Sequence, residues 1–374
     1  MKIEKILLIV GSLLTVFFSS CGSSSPLDES KIISESQKLN QYLDKVFDEY
    51  IDRHPEYQTY LGIKKDYGKW DDISPKASDI ELEHAKIQLK WLKDSVHVKY
   101  LDSQTLLSYH LFKEKLENQI NDHKYRLYNY PVNQMSGMQS GTPAFLINMH
   151  KISSKEDALN YIERINGIRP LFDQLILNLK ERQSAGIIAP NFVYDHVLND
   201  SKNVISGHPF SGADTCAIFQ DFYNKVMKLD LSSTEKNILL EDGKKALLKN
   251  VKPSYKKLIQ FVEKLKDEND EEDGVWRWKN GAAFFENALQ RTTTTNMTAD
   301  EIHQLGLSEV NRIHNEMNSI KDAVGFSGSL QDFFKELKEN DDFYFPQTEK
   351  GKQDYISEAE NIIEKFKLKL DDLF

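Results

Sequence analysis

Apolar residues recur at intervals of three and four over most of this chain. Leu39, Leu43, Val46, Phe47, Tyr50 and Ile51 form one such stripe, and Tyr109, Phe112, Leu116 and Ile120 form a second. Tyr161, Ile162, Ile165 and Ile168 make a third, and Tyr255, Leu258, Ile259, Val262 and Leu265 a fourth. At about 100° per residue this spacing gathers apolar side chains on one face of an α-helix. A hydroxyl residue followed three positions later by glutamate occurs at Ser78–Glu81, Ser153–Glu156, Ser232–Glu235 and Thr298–Glu301. That is the capping-box pattern, and it predicts a helix start at each. Period-two alternation is confined to scraps such as Val96 to Tyr100, so any β element is small and peripheral. The pattern predicts an all-α, multi-helix array. Irregular stretches are expected from Tyr130 to Thr142 and along the acidic run from Lys266 to Gly274.

The N-terminus follows a different pattern. Lys2 and Lys5 precede an apolar run from Ile6 to Phe18, too short to cross a bilayer, which needs about 20 residues. It reads as an export signal. The run ends Phe18-Ser19-Ser20-Cys21 and continues Gly22-Ser23-Ser24-Ser25-Pro26, which resembles the lipobox at which bacterial lipoproteins are cleaved before a lipid-modified cysteine. Residues 1–20 are then the signal peptide, Cys21 the lipidation site and residues 21–30 a polar tether. A plain secretory signal with a chance cysteine is the alternative. On the first reading the partner is a membrane, held through the N-terminal lipid, and the location is the bacterial cell envelope. Cys216 would remain alone, unable to form an internal disulfide, and is expected to be a small buried hydrophobe.

Composition narrows the field. A hydrophobic share of 40% with 28% charged residues over 374 residues is the balance of a folded chain with a sizeable core. The formal net charge of −10 argues against a phosphate-neutralising surface, so no nucleic-acid partner is expected. The motifs of local chemistry are missing. No histidine is followed by glutamate, and there is no phosphate-cradling glycine loop with Lys-Ser/Thr and no Gly-x-Ser-x-Gly elbow. His303 and His314 share one helix face but stand about 16 Å apart, too far to hold one ion. No metal site and no cofactor are expected within this chain.

The helix predicted from Thr298 is the most unusual element. Ile302, Ile313 and Ile320 fall within about 20° of one line, and Glu309 and Glu316 fall on that same line. Two carboxylates are therefore expected to point toward the core. A buried carboxylate must be paired, protonated or ligating. Structural ion pairs with neighbouring helices are one reading and a polar cleft is the other, with Glu309 and His303 the candidate cleft residues.

Several segments together resemble the bacterial family called domain of unknown function 885. They are YPVNQMSG from Tyr130, Gly186-Ile187-Ile188-Ala189-Pro190, the stretch from Asn280 to Met317, VGFSGSLQDFF from Val324, and His54-Pro55-Glu56 through Leu61-Gly62. The resemblance implies a divergent, helical zinc-metallopeptidase-like protein that takes a peptide substrate. It also implies that the family's zinc-binding His-Glu helix lies beyond the region matched here, so that zinc is expected only in the full-length protein. Phe284-Phe285 departs from the tyrosines usual in the family, which removes a phenolic hydroxyl there.

The helical stripe of Tyr355, Ile356, Ile363, Phe366, Leu370, Leu373 and Phe374 continues to the last residue without a glycine cap. Residues 31–374 are thus expected to be a helical domain incomplete at its C-terminal end. It would form the substrate-cleft walls of an exported metallopeptidase-like lipoprotein and be inactive alone. The alternative is a non-catalytic envelope binding or scaffold lipoprotein.

Overall fold

The computed structural model describes residues 29–267 and 273–373. The described residues are predominantly helical, and in place of strands they hold one isolated bridge, between His208 and Thr215. The Val96–Tyr100 scrap is a 3₁₀ turn over Val98–Tyr100. Two compact units are present, one running to Ala288 and one from Leu289.

In the first unit, α1 (Glu29–Arg53), the short α2 (Pro55–Tyr60), α3 (Pro75–Ser95) and α4 (Ser103–Asp122) come first. Then follow α5 (Met138–Asn148), α6 (Lys155–Ser184), α7 (Asn191–Val204), α8 (Ala217–Met227), α9 (Ser233–Ala246) and α10 (Lys252–Asp267), with a π-helical turn at Leu247–Val251 joining the last two. The core is built round α6, which buries Tyr161, Ile162, Ile165, Ile168, Leu171, Phe172 and Leu175. α10 lays Tyr255, Leu258, Val262 and Leu265 against it, and α7 adds Val193, Tyr194 and Val197. Each such side chain contributes about 1.5–3 kcal/mol by leaving water. Cys216 is free and buried in this core. A smaller cluster of Leu39, Leu92, Val96, Leu101 and Tyr109 ties α1, α3 and α4 together.

Two of the four expected capping boxes form, at Ser232–Glu235 and Thr298–Glu301. The other two are displaced. α3 starts earlier, because Ser74 accepts from the Ala77 amide and Pro75 supplies a fixed φ at the first helical position, leaving Ser78 inside the helix. α6 is capped one residue later than expected, by Ser154, which accepts from the Asp157 amide while Ser153 donates to the Asp157 carboxylate. α5 already begins at Met138, so the irregular Tyr130 stretch is shorter than expected, and the expected tether is helical from Glu29. Residues 268–272 of the acidic run, the signal peptide and Cys21 lie outside the described residues.

The helix α11 (Gly281–Thr293) straddles the boundary between units. The second unit then holds α12 (Ala299–Ala323), α13 (Leu330–Glu339), α14 (Glu349–Lys367) and α15 (Leu370–Leu373). Its apolar stripes are largely exposed, as at Val310, Ile320, Tyr355, Ile356 and Phe366.

Candidate functional site

The two carboxylates expected in a core are on the surface. No residue of α12 is buried; Glu309 and Glu316 are both exposed, and Arg312 of the same helix clasps them, 2.7 Å from each. The apolar line they share is itself only partly covered, with Ile313 37% and Ile320 58% exposed, so the carboxylates do not meet a low-dielectric environment. The spacing i, i+3, i+7 of Glu309, Arg312 and Glu316 is a helix-surface pairing pattern and was present in the sequence. His303 is likewise exposed on this helix. Neither His303 nor Glu309 is buried as the shared stripe suggests. Among the described residues no three His, Cys, Asp or Glu side chains converge to hold a metal ion.

A cleft of about 840 Å³ lies instead among α1 to α4 of the first unit. Helical spacing builds each wall. α1 presents Leu43, Val46, Phe47, Tyr50 and Arg53; α3 presents Glu81, His84, Ala85 and Gln88; α4 presents Ser108, Leu111, Phe112, Lys115, Leu116 and Gln119. His54 and Tyr57 close one side at the break between α1 and α2. Pro55 at the first position of α2 makes that break, since the residue before a proline is pushed out of the helical region. The α1 stripe thus divides by depth. Leu39 and Ile51 are buried and do not line the cleft, Val46 is buried but reaches it, and the more exposed Phe47 and Tyr50 form its wall.

The cleft has an apolar end and a polar end. At the polar end Arg53 grips Glu81 through Nε to Oε1 at 2.7 Å and Nη2 to Oε2 at 3.3 Å, and Arg53 Nη1 also donates to the Glu49 carbonyl at 2.7 Å. Burial pushes the Glu81 carboxyl up, but the Arg53 hydrogen bond and charge, with His54 and His84 nearby, outweigh it and hold the group below the usual carboxylate value. His54 donates from Nδ1 to the Tyr50 carbonyl at 2.7 Å and stacks on the Tyr50 ring at 3.9 Å. Tyr57 meets Tyr50 and Phe47 edge-on. Lys115 places its ammonium 6.0 Å from the Tyr50 ring centre, a cation–π contact. A second cavity of about 420 Å³ lies behind, and Arg53, His54 and Glu81 line both, so the ion pair is part of the wall between them.

A buried polar hub fixes the 54–74 segment that carries this end. Arg164 of α6 is fully buried and donates to the Lys69 carbonyl at 3.0 Å, the Pro55 carbonyl at 3.3 Å, Thr59 Oγ1 at 2.5 Å and His150 Nδ1 at 3.2 Å. Because Nδ1 of His150 accepts, its Nε2 carries the proton and donates to the Asp157 carbonyl at 3.1 Å. Burial and the Arg164 charge push the His150 pKa down to about 3, so the ring is neutral. Trp70 donates to the Arg164 carbonyl at 2.7 Å, and a Cβ at Gly167 would stand 2.8 Å from its ring. Glycine there is what lets the indole lie against α6. Glu56 and Asp71 exchange backbone bonds, Glu56 N to Asp71 Oδ1 at 2.9 Å and Asp71 N to Glu56 Oε1 at 3.4 Å. Burial, with the Asp71 charge, pushes Glu56 up to about 7.

The sequence profile described as "Bacterial protein of unknown function (DUF885)" matches residues 55–374. No curated protein matches the chain. Among solved structures, the "putative lipoprotein" from Colwellia psychrerythraea is similar in fold, with 19% identity and a TM-score of 0.76 over 90% of this chain and 59% of its own. A "putative lipoprotein of unknown function" from Shewanella oneidensis is similar at 18% identity and a TM-score of 0.52, over 76% of this chain and 48% of its own. The chain therefore spans between about half and three fifths of these two structures.

Proposed function

The chain belongs to the bacterial family DUF885, and from that membership we propose that it is the peptide-binding helical part of an envelope lipoprotein. The observation that carries the reading is the cleft among α1 to α4, whose volume of about 840 Å³ lies in the range of specific ligand sites and whose walls combine aromatic rings with a few convergent polar groups. Cys21 carries the lipid on this reading, consistent with the lipoprotein descriptions of both solved neighbours. The metallopeptidase-like hydrolysis that the family resemblance implies, with its zinc, is assigned to a longer family protein. The residues described here grip the peptide, and no metal-bound step is given to them.

The test is calorimetric. An N-acetylated pentapeptide of leucine and phenylalanine should bind the purified chain saturably. Phe47, 47% exposed on the cleft wall, can be changed without opening the core. Phe47→Asp should weaken binding about tenfold, the equivalent of one apolar side chain losing its contact. Absence of saturable binding by the unaltered chain would remove the cleft from function.

A further inference from the structure

The cleft is asymmetric in charge, and the asymmetry selects one end of a ligand. Its two permanent cations, Arg53 and Lys115, face a single carboxylate, Glu81, in a chain whose formal net charge is −10. Arg53 is already committed to Glu81. Lys115 has no carboxylate within ion-pair distance among the described residues, and its ammonium rests only on the Tyr50 ring. An unpaired ammonium beside Tyr50, near the polar end of a largely apolar trough, is complementary to one negative charge on an otherwise apolar ligand.

The rest of the trough tells an acyl chain from a peptide. Between Arg53 and Leu43 the α1 wall covers ten residues, about 15 Å. That length takes four to five residues of extended chain at about 3.3 Å each. Polar side chains run along it: Ser108 and Gln88 line the same walls, and the Gln88 amide has no partner among the described residues. A hydrocarbon chain would leave that amide unpaired at a cost, whereas a peptide backbone offers both a donor and an acceptor.

Resting on the reading of this cleft as peptide-binding, we propose that it holds the carboxyl-terminal end of an apolar peptide, with the terminal carboxylate on Lys115 and the preceding side chains lying toward Leu43 and Leu111. Alternate side chains of the extended peptide meet the aromatic wall at Phe47 and Phe112, and the intervening ones face solvent.

The experiment compares the N-acetylated Leu/Phe pentapeptide as free acid, the same peptide as C-terminal amide, and decanoate, each titrated into the purified chain. The free acid should bind about tenfold more tightly than the amide, the value of one charge-assisted contact. Lys115→Ala, an exposed substitution, should abolish that difference, bringing free-acid binding down to that of the amide. Equal binding of acid and amide overturns the carboxylate assignment while leaving the cleft as a peptide site. A preserved acid preference in Lys115→Ala overturns the role of Lys115. Decanoate binding as tightly as the free acid overturns the peptide in favour of a lipid, and binding of none of the three overturns the underlying reading itself.

Discussion

Glu56 makes the pH dependence of this fold calculable. Its carboxyl titrates near pH 7 in the folded chain, against an ordinary 4.5, because it is largely withdrawn from water beside Asp71. Between those two values the folded chain holds a proton that the unfolded chain has released, so stability falls as pH rises across that window. Below it the two states are equally protonated, and above it the loss is constant at about 3 kcal/mol. Glu56→Gln keeps an oxygen to accept from the Asp71 amide but carries no charge. Urea unfolding at pH 5 and pH 8 should therefore show the unaltered chain losing more stability at the higher pH than the variant does. Identical pH dependence of the two would show that Glu56 is not the titrating group. None of this is visible in the sequence, where Glu56 is one glutamate after a proline. Its environment is made by Asp71 and by Arg164, 108 positions away, and only the fold brings them together. Glu309 and Glu316 mislead in the opposite direction, since periodicity reports which residues share a face and not whether anything covers that face.

At the level of helices, legibility follows burial. The stripes of α6 and α10 are read correctly because those helices are packed by neighbours and their apolar faces are wide. The α1 stripe is read as one face, although part of it packs and part of it lines a cleft, and both faces use the same apolar residue types. Helix starts depend on competition between adjacent caps. At α3, Ser74 wins over Ser78 because Pro75 prefers the first helical position. Ser74→Ala should then cost about 1 kcal/mol, the usual worth of a side-chain cap, and Ser78→Ala should change stability by less than about 0.5 kcal/mol. Chemical denaturation of the two variants decides the matter, and a larger loss for Ser78→Ala would move the helix start back to the capping-box position. Glu81, the other half of that expected box, is instead free to reach Arg53, which is how a misplaced cap hid a cleft residue.

For the molecule as a whole, the proposed lipid anchor at Cys21 makes a testable claim about membrane attachment. No helix among the described residues is long and apolar enough to cross one. The second unit exposes apolar side chains along α12 and α14, including Ile320, Tyr355, Ile356 and Phe366. Patches of that kind adhere to other surfaces, so retention in a membrane fraction would have to be traced either to a lipid on Cys21 or to adsorption through this unit. They differ in strength. Several acyl chains on one cysteine, each buried CH₂ worth about 0.8 kcal/mol, resist washing, whereas adsorbed apolar side chains release when the surface is competed away. Expression of the chain with its first 20 residues intact, followed by fractionation and a wash in alkaline carbonate, should leave the unaltered protein in the membrane pellet and Cys21→Ser in the supernatant. A second variant, Ile356→Lys with Phe366→Lys, should stay in the pellet because its anchor is untouched. If Cys21→Ser remains in the washed pellet while the double lysine variant is released, the apolar faces of the second unit, and not a lipid, hold this protein to the envelope.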